Sequence, residues 1–195
     1  MYKRMKKRFA YCAVLCILLS LVVNSTLAYF TAEETARNVI TSGAVSVEVV
    51  EKQLVEGALE NYPDASVSVM PGSTVSKIVS AKNLDEPAWV RMAYTVTIKD
   101  ANGDVMELSA DQLDQIITID TDTANWTYKA GWWYCNKALT TGEESKPLFT
   151  EVIFSGPEMG NTYQNCTVMI DVTAQAVQKV HNGDTVMDAA GWPVG

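Results

Sequence analysis

The sequence predicts an all-β protein, an antiparallel β-sandwich of jelly-roll type with one short helix. Three observations lead to this prediction. Apolar and polar residues alternate with a period of two over several stretches, which is typical of strands with one face on a core and one in water. Turn residues separate these stretches at short intervals, as in sandwiches and barrels. Apolar residues make up 48% of the 195 residues, which is enough for the core of one domain.

Two long stretches predict the central strands. Every second residue is apolar over 88–98 and again over 166–176. We expect the residues between them, such as Trp89 and Arg91, to face water. Shorter strands are predicted at 45–49, 67–69, 75–81, 116–119, 132–136 and 148–154.

Turn and cap residues separate these strands. Asn102-Gly103 follows one apolar stretch and precedes Val105, which predicts a type I′ hairpin turn with positive φ at both central residues. Pro71-Gly72 predicts a second turn. A short helix is predicted at Ser109–Gln115, with Ser109 as its N-cap.

The first 28 residues have the pattern of a secretory leader. Five basic residues lie within the first eight, an apolar run follows over 9–23, and small residues stand at Thr26 and Ala28. This pattern predicts cleavage between Ala28 and Tyr29. The alternative is a transmembrane anchor, but the apolar run spans only about 22 Å as a helix, against about 30 Å of hydrocarbon.

Cleavage there changes the charge of the protein. The formal net charge is −8, from 15 basic and 23 acidic residues. The leader holds five of the basic residues and none of the acidic ones, so the product carries −13. Such an acidic chain lacks the basic surface that nucleic-acid binding requires.

We predict four segments: the leader, an N-terminal segment at 29–43, a β-sandwich at 44–180 and a C-terminal tail at 181–195.

Four blocks in order resemble one known family. Leu27-Ala28-Tyr29-Phe30-Thr31 spans the predicted cut, and Met70-Pro71-Gly72-Ser73-Thr74-Val75 follows. Further along stand Gly131-Trp132-Trp133-Tyr134 with Leu148-Phe149-Thr150, and then Met159–Gln164 leading into Ile170–Gln178. These blocks are similar to those of the TasA/camelysin family over roughly residues 1–180. Ala32 stands where the family often has Asp, and Thr141 replaces a Pro.

The resemblance implies a secreted structural protein. Such proteins are β-sandwich subunits of Gram-positive bacteria whose leaders are cut by a SipW-type signal peptidase. They form fibres in the extracellular biofilm matrix, with themselves or sibling subunits, or stay at the cell surface, and no membrane association is expected after cleavage. The family implies polymerisation by strand donation. The donor here would be Tyr29–Ser42, with Tyr29, Phe30, Val39 and Ile40 as apolar anchors.

Two other functions stay open. Camelysin-like members are described as metalloproteases, but this chain has one histidine, His181, and no H-E-x-x-H motif. An adhesin-like binding module would use the aromatic residues Trp132, Trp133 and Tyr134 for a saccharide, or Asp100–Asp104 for calcium. The structural interpretation assigns no catalytic residue, metal ligand or cofactor.

The predicted product keeps two cysteines, Cys135 and Cys166. Outside the cell two cysteines in one domain often form a disulfide. Cys166 also belongs to the apolar face of its strand, so a buried free thiol is the alternative.

Overall fold

The computed structural model of the chain describes residues 30–33, 36–37, 45–63 and 67–193. These residues form twelve strands, one α-helix and one 3₁₀ helix. In chain order they are β1 (Phe30–Glu33), β2 (Ala36–Arg37), β3 (Val47–Val55), β4 (Ala58–Asn61), β5 (Val67–Val69), β6 (Thr74–Asn83), β7 (Ala88–Lys99), α1 (Ala110–Ile116), β8 (Ile117–Ile119), β9 (Trp126–Lys129), β10 (Trp132–Cys135), β11 (Phe149–Phe154), the 3₁₀ helix (Asn161–Tyr163) and β12 (Thr167–Gln178).

The strands form two sheets that pack face to face. The larger sheet has the order β5-β1-β12-β7-β10-β9, with β2 also on β12, and the smaller has the order β4-β3-β6-β11-β8. Their inner faces share one apolar core, which includes Val79, Phe149, Val90, Met92 and Val172. The predicted β-sandwich with one short helix is therefore confirmed, and the jelly-roll connectivity stays a prediction. All pairings between the described strands are antiparallel except two, because β1 and β2 run parallel to β12.

Strands β7 and β12 form the centre of the larger sheet. They pair without a break from Lys99 and Thr167 to Ala88 and Gln178. The alternating apolar residues of both strands face the core, as the sequence predicts. Because each strand has twelve residues, this ladder is about 40 Å long.

The hairpin turn predicted at Asn102-Gly103 has a different geometry. Gly103 has a φ of 89°, but Asn102 is not among the described residues with positive φ, so the turn is not type I′. The cause is Asp100, whose carboxylate accepts hydrogen bonds from the backbone N–H groups of Asn102 and Asp104. The turn therefore begins at Asp100, and only one bridge, between Lys99 and Val105, follows it.

A hairpin with a two-residue loop joins β3 to β4, although the sequence predicts no strand at the position of β4. Val55 pairs with Ala58, and both loop residues have positive φ, 49° at Glu56 and 86° at Gly57. This is the backbone pattern of a type I′ turn. The strand predicted at 45–49 therefore extends to Val55, where the chain turns and β4 pairs with β3 in antiparallel orientation.

The predicted helix is confirmed with a shift of one residue. It begins at Ala110, and the Ser109 hydroxyl accepts a hydrogen bond from the backbone N–H of Gln112. The Gln112 side chain in turn accepts from the backbone N–H of Ser109. This reciprocal pair is a capping box, which satisfies two N–H groups that the first helical turn leaves without partners.

The outer face of the larger sheet does not face water at one end. Residues 179–193, called here the C-terminal loop, fold back over it and bury Trp89, Arg91 and Gln175. The expectation that Trp89 and Arg91 face water is therefore wrong. A second apolar cluster forms under the loop, centred on Trp89, Tyr134, Val177 and Val186.

Candidate assembly site

The N-terminal segment lies within the larger sheet of its own chain. In β1, Thr31 pairs with Thr167 of β12 in parallel and with Ser68 of β5 in antiparallel orientation. Strand β1 thus fills the position between β5 and β12. Strand β2 continues along β12, where Ala36 pairs with Val172. These pairings fall inside the predicted donor segment Tyr29–Ser42.

Strand β12 is suited to receive such a segment. One of its edges pairs with β7 along the whole length, and the other pairs with β1 and β2. Its inward side chains Val168, Ile170 and Val172 are buried in the core. Without β1 and β2, a long row of backbone N–H and C=O groups next to this core would have no strand partner, which is the condition for adding a strand.

An ion pair lies inside the smaller sheet at β3 and β6. Lys77 Nζ is 3.3 Å from Glu51 Oε1, and the side chains are 3% and 12% exposed. The ammonium group also lies 4.3 Å from the centre of the Tyr62 ring. Burial raises the pKa of Glu51 to about 7 and lowers the pKa of Lys77 to about 7, because it penalises both charged forms. Sequence patterning missed this pair because Lys77 occupies a core-facing position of its strand.

The predicted cleavage and anchor residues are mostly beyond what the structure describes. Ala28, Tyr29, Val39 and Ile40 lie outside the described residues. The backbone of Phe30 is described and pairs with Val69. The structure thus places residues 30–33 and 36–37 of the predicted donor in the larger sheet, and the role of its apolar anchors stays a prediction.

Cys135 and Cys166 do not form a disulfide. Both are buried free thiols, 4% and 0% exposed. Tyr134, next to Cys135, pairs with Arg91, whereas Thr167, next to Cys166, pairs with Lys99. Arg91 and Lys99 are eight residues apart on one strand, about 26 Å, whereas bridged Cα atoms lie about 4.4–6.8 Å apart. In the structure, both cysteines are therefore buried free thiols, which was the alternative to a disulfide.

The residues considered for catalysis or metal binding are dispersed. His181 is exposed in the C-terminal loop. Asp100 uses its carboxylate to order its own turn, and these backbone hydrogen bonds lower its pKa. Within the described part of the chain, no three His, Cys, Asp or Glu side chains lie together in a way that could hold a metal ion.

The aromatic residues Trp132, Trp133 and Tyr134 do not form one exposed platform. Trp132 and Tyr134 point to the outer face of the larger sheet, where the Arg91 guanidinium lies 4.2 Å and 5.7 Å from their ring centres. Trp133 packs against the main core, with its ring centre 4.9 Å from that of Tyr128. The alternation of a strand separates the three side chains onto two faces.

Neither the models of known protein families nor the curated proteins contain a match to this chain. In the described ranges, no helix is long and apolar enough to cross a membrane.

Proposed function

We propose that this chain is a secreted structural protein, a subunit or accessory of extracellular biofilm-matrix fibres in a Gram-positive bacterium, and that it assembles by strand donation. One observation carries the proposal. The N-terminal segment occupies a strand position between β5 and β12 of its own sheet. The same segment of a second copy has the same backbone groups and could occupy the same position.

The chemistry of this position favours exchange between copies. Strand pairing uses backbone hydrogen bonds, which an identical segment supplies equally well from another molecule. Cleavage after Ala28 would make β1 a terminal strand, which can leave the sheet without pulling other chain through it. Residues 38–44 separate β2 from the described chain at Val45, and an extended chain of that length reaches about 25 Å. The segment therefore has the reach to extend away from its own sandwich.

The register allows a direct test by cysteine cross-linking. Thr31 and Thr167 are paired residues, so Thr31→Cys on one copy and Thr167→Cys on another come within bonding distance only if β1 is donated in trans. The two variants are mixed, allowed to assemble and oxidised. We expect disulfide-linked heterodimers that contain one copy of each variant, detected by non-reducing electrophoresis and mass spectrometry.

A matched control uses the same strand in the wrong register. Asp171→Cys lies four residues further along β12, and its mixture with Thr31→Cys should give no heterodimer. Native Cys135 and Cys166 are buried and should not compete. Fibres that form without the Thr31–Thr167 link would overturn strand donation, and an absence of fibres from the purified protein under all conditions would overturn the role as a fibre subunit.

A further inference from the structure

Arg91 is the centre of a second site, on the outer face of the larger sheet. Arg91 is only 8% exposed. Nε and Nη2 donate to Gln175 Oε1 at 2.9 and 2.6 Å, and Nη1 donates to the Tyr134 hydroxyl at 3.0 Å. Nη2 also donates to the backbone carbonyl of Pro193 at 3.0 Å. Four hydrogen bonds to neutral acceptors therefore hold one buried guanidinium.

The described residues supply no acidic partner for this charge. Among the residues described, no carboxylate oxygen lies within 4 Å of the Arg91 guanidinium. Two indole rings cover it instead, with ring centres 4.2 Å away for Trp132 and 4.7 Å away for Trp192. Burying a charge is costly, and among the described residues these rings and acceptors are the groups that stabilise it.

The sheet supplies one half of this environment and holds it in place. Gln175 of β12 and Tyr134 of β10 both pair directly with Arg91, so three neighbouring strands present these side chains at one level. Trp132 lies on the same face of β10. The sheet half of the site is therefore preorganised, because its positions depend on strand register and not on the C-terminal loop.

The C-terminal loop supplies the other half and is bonded largely to itself. The Asn182 side chain donates to the carbonyl of Ala190 at 3.0 Å and accepts from its N–H at 2.8 Å. The Trp192 ring N–H donates to the Ala189 carbonyl at 3.0 Å. On the sheet, the Trp192 ring meets Tyr134 edge to face at 5.5 Å, and Trp89 donates to the Asn182 carbonyl. The C-terminal loop thus contacts the sheet mainly through one aromatic ring and through backbone carbonyls, which are groups that a separate peptide could also supply.

We propose that the outer-face site of Arg91, Trp132, Tyr134 and Gln175 is a peptide-binding site for a tryptophan-proline segment. In this structure the site holds Trp192-Pro193 of its own chain. The occupant in trans is the same segment of a second copy, which offers the same ring and carbonyl. This contact would join copies at a place distinct from the β1 position, and it does not depend on strand donation.

A peptide added in trans tests the site. The purified protein carrying Trp192→Ala keeps the sheet half, including the Trp132 ring, but loses the ring that the C-terminal loop places over Arg91. A fluorescently labelled peptide of residues 186–195 should bind this variant saturably in fluorescence polarisation. The affinity for the unsubstituted protein should be at least tenfold weaker, because its own loop competes. An Arg91→Lys substitution in the Trp192→Ala background should abolish binding, since a lysine cannot reproduce the planar fork.

The peptide carries its own control in case Arg91→Lys does not fold. The same peptide with alanine at the tryptophan position should not bind, and this comparison changes nothing in the protein. Three results would each overturn the proposal: no saturation up to millimolar peptide, equal affinity for the protein with and without Trp192, or equal affinity of the two peptides.

Discussion

Lys77 and Glu51 place two charged groups where the alternation of β6 and β3 predicts core. We expect Lys77→Met to leave a carboxyl group that is stable only when protonated. Burial raises the pKa of Glu51 in the folded state to about 7, from 4.5 for an exposed glutamate. Between these two pH values the folded state therefore binds one proton more than the unfolded state. The free energy of unfolding of the variant should be highest below pH 4.5 and should fall by about 3 kcal/mol as the pH rises through 7.

Urea denaturation at pH 5 and pH 8 measures this effect. The control is the double substitution Glu51→Gln with Lys77→Met, which removes the titrating group and should lose much less stability between the two pH values. A variant with Lys77→Met alone whose pH dependence equals that of the control would show that Glu51 is not the group responsible.

The two thiols give a second prediction at the residue scale. Burial raises the pKa of both Cys135 and Cys166, so little thiolate is present at neutral pH and access is blocked. We expect no reaction with a thiol reagent in the folded product of the predicted cleavage, residues 29–195, and two reactive thiols per product chain after unfolding without reductant. Protein that shows no thiol after unfolding would contradict the structure.

At the scale of elements, Asp120 supports an irregularity in β11. The register of β11 against β6 shifts between Phe149 and Glu151. Asp120 Oδ1 accepts hydrogen bonds from the backbone N–H groups of Thr150 and Glu151, both at 2.7 Å. The carboxylate thus satisfies the backbone groups that the shift removes from the ladder.

Substitution of Asp120 tests this support. Asp120→Ala removes the acceptor for both N–H groups and should lower the free energy of unfolding by about 1–2 kcal/mol. Asp120→Asn keeps an acceptor oxygen at the same place and should lose clearly less. Chemical denaturation compares the two variants, and equal losses would mean that the hydrogen bonds to the bulge contribute little.

The sequence predicts the elements whose pattern is local. Strands β7 and β12 follow from alternation, and the N-cap of α1 follows from Ser109. The β3–β4 hairpin was missed because Leu54 and Leu59 are 53% and 63% exposed. Neither face of this hairpin is buried, so its residues do not alternate between apolar and polar. The parallel pairing of β1 with β12 joins distant residues, and no local pattern encodes such a register.

The Arg91 site could not be predicted for a related reason. The alternation correctly places Arg91 on the face away from the main core. What covers that face is the C-terminal loop, which has neither helical nor strand periodicity. A buried arginine on a nominally exposed face is recognisable only when the elements around it are known.

At the scale of the whole molecule, net charge would oppose the proposed assembly. The predicted product carries a net charge of −13, so its copies repel one another. We expect added salt to speed fibre formation, because at about 0.15 M the screening length falls to about 8 Å. Light scattering across a salt series measures the rate. A rate that is constant or falls with salt would contradict this account, and an uncharged osmolyte at matched osmolarity is the control.

The position of β1 also bears on the order in which the molecule folds. Thr31 pairs with Thr167, 136 residues later, so the larger sheet closes a very long loop. Long-range pairing of this kind slows folding, because the entropy of closing the loop is lost before the contacts form. Strands β1 and β2 can pair with β12 only after β12 has formed, although β1 can pair with β5 earlier. Until β12 has its strand partners, its edge would also be open to the first strand of another chain, so we expect the proposed strand donation to increase with protein concentration during folding.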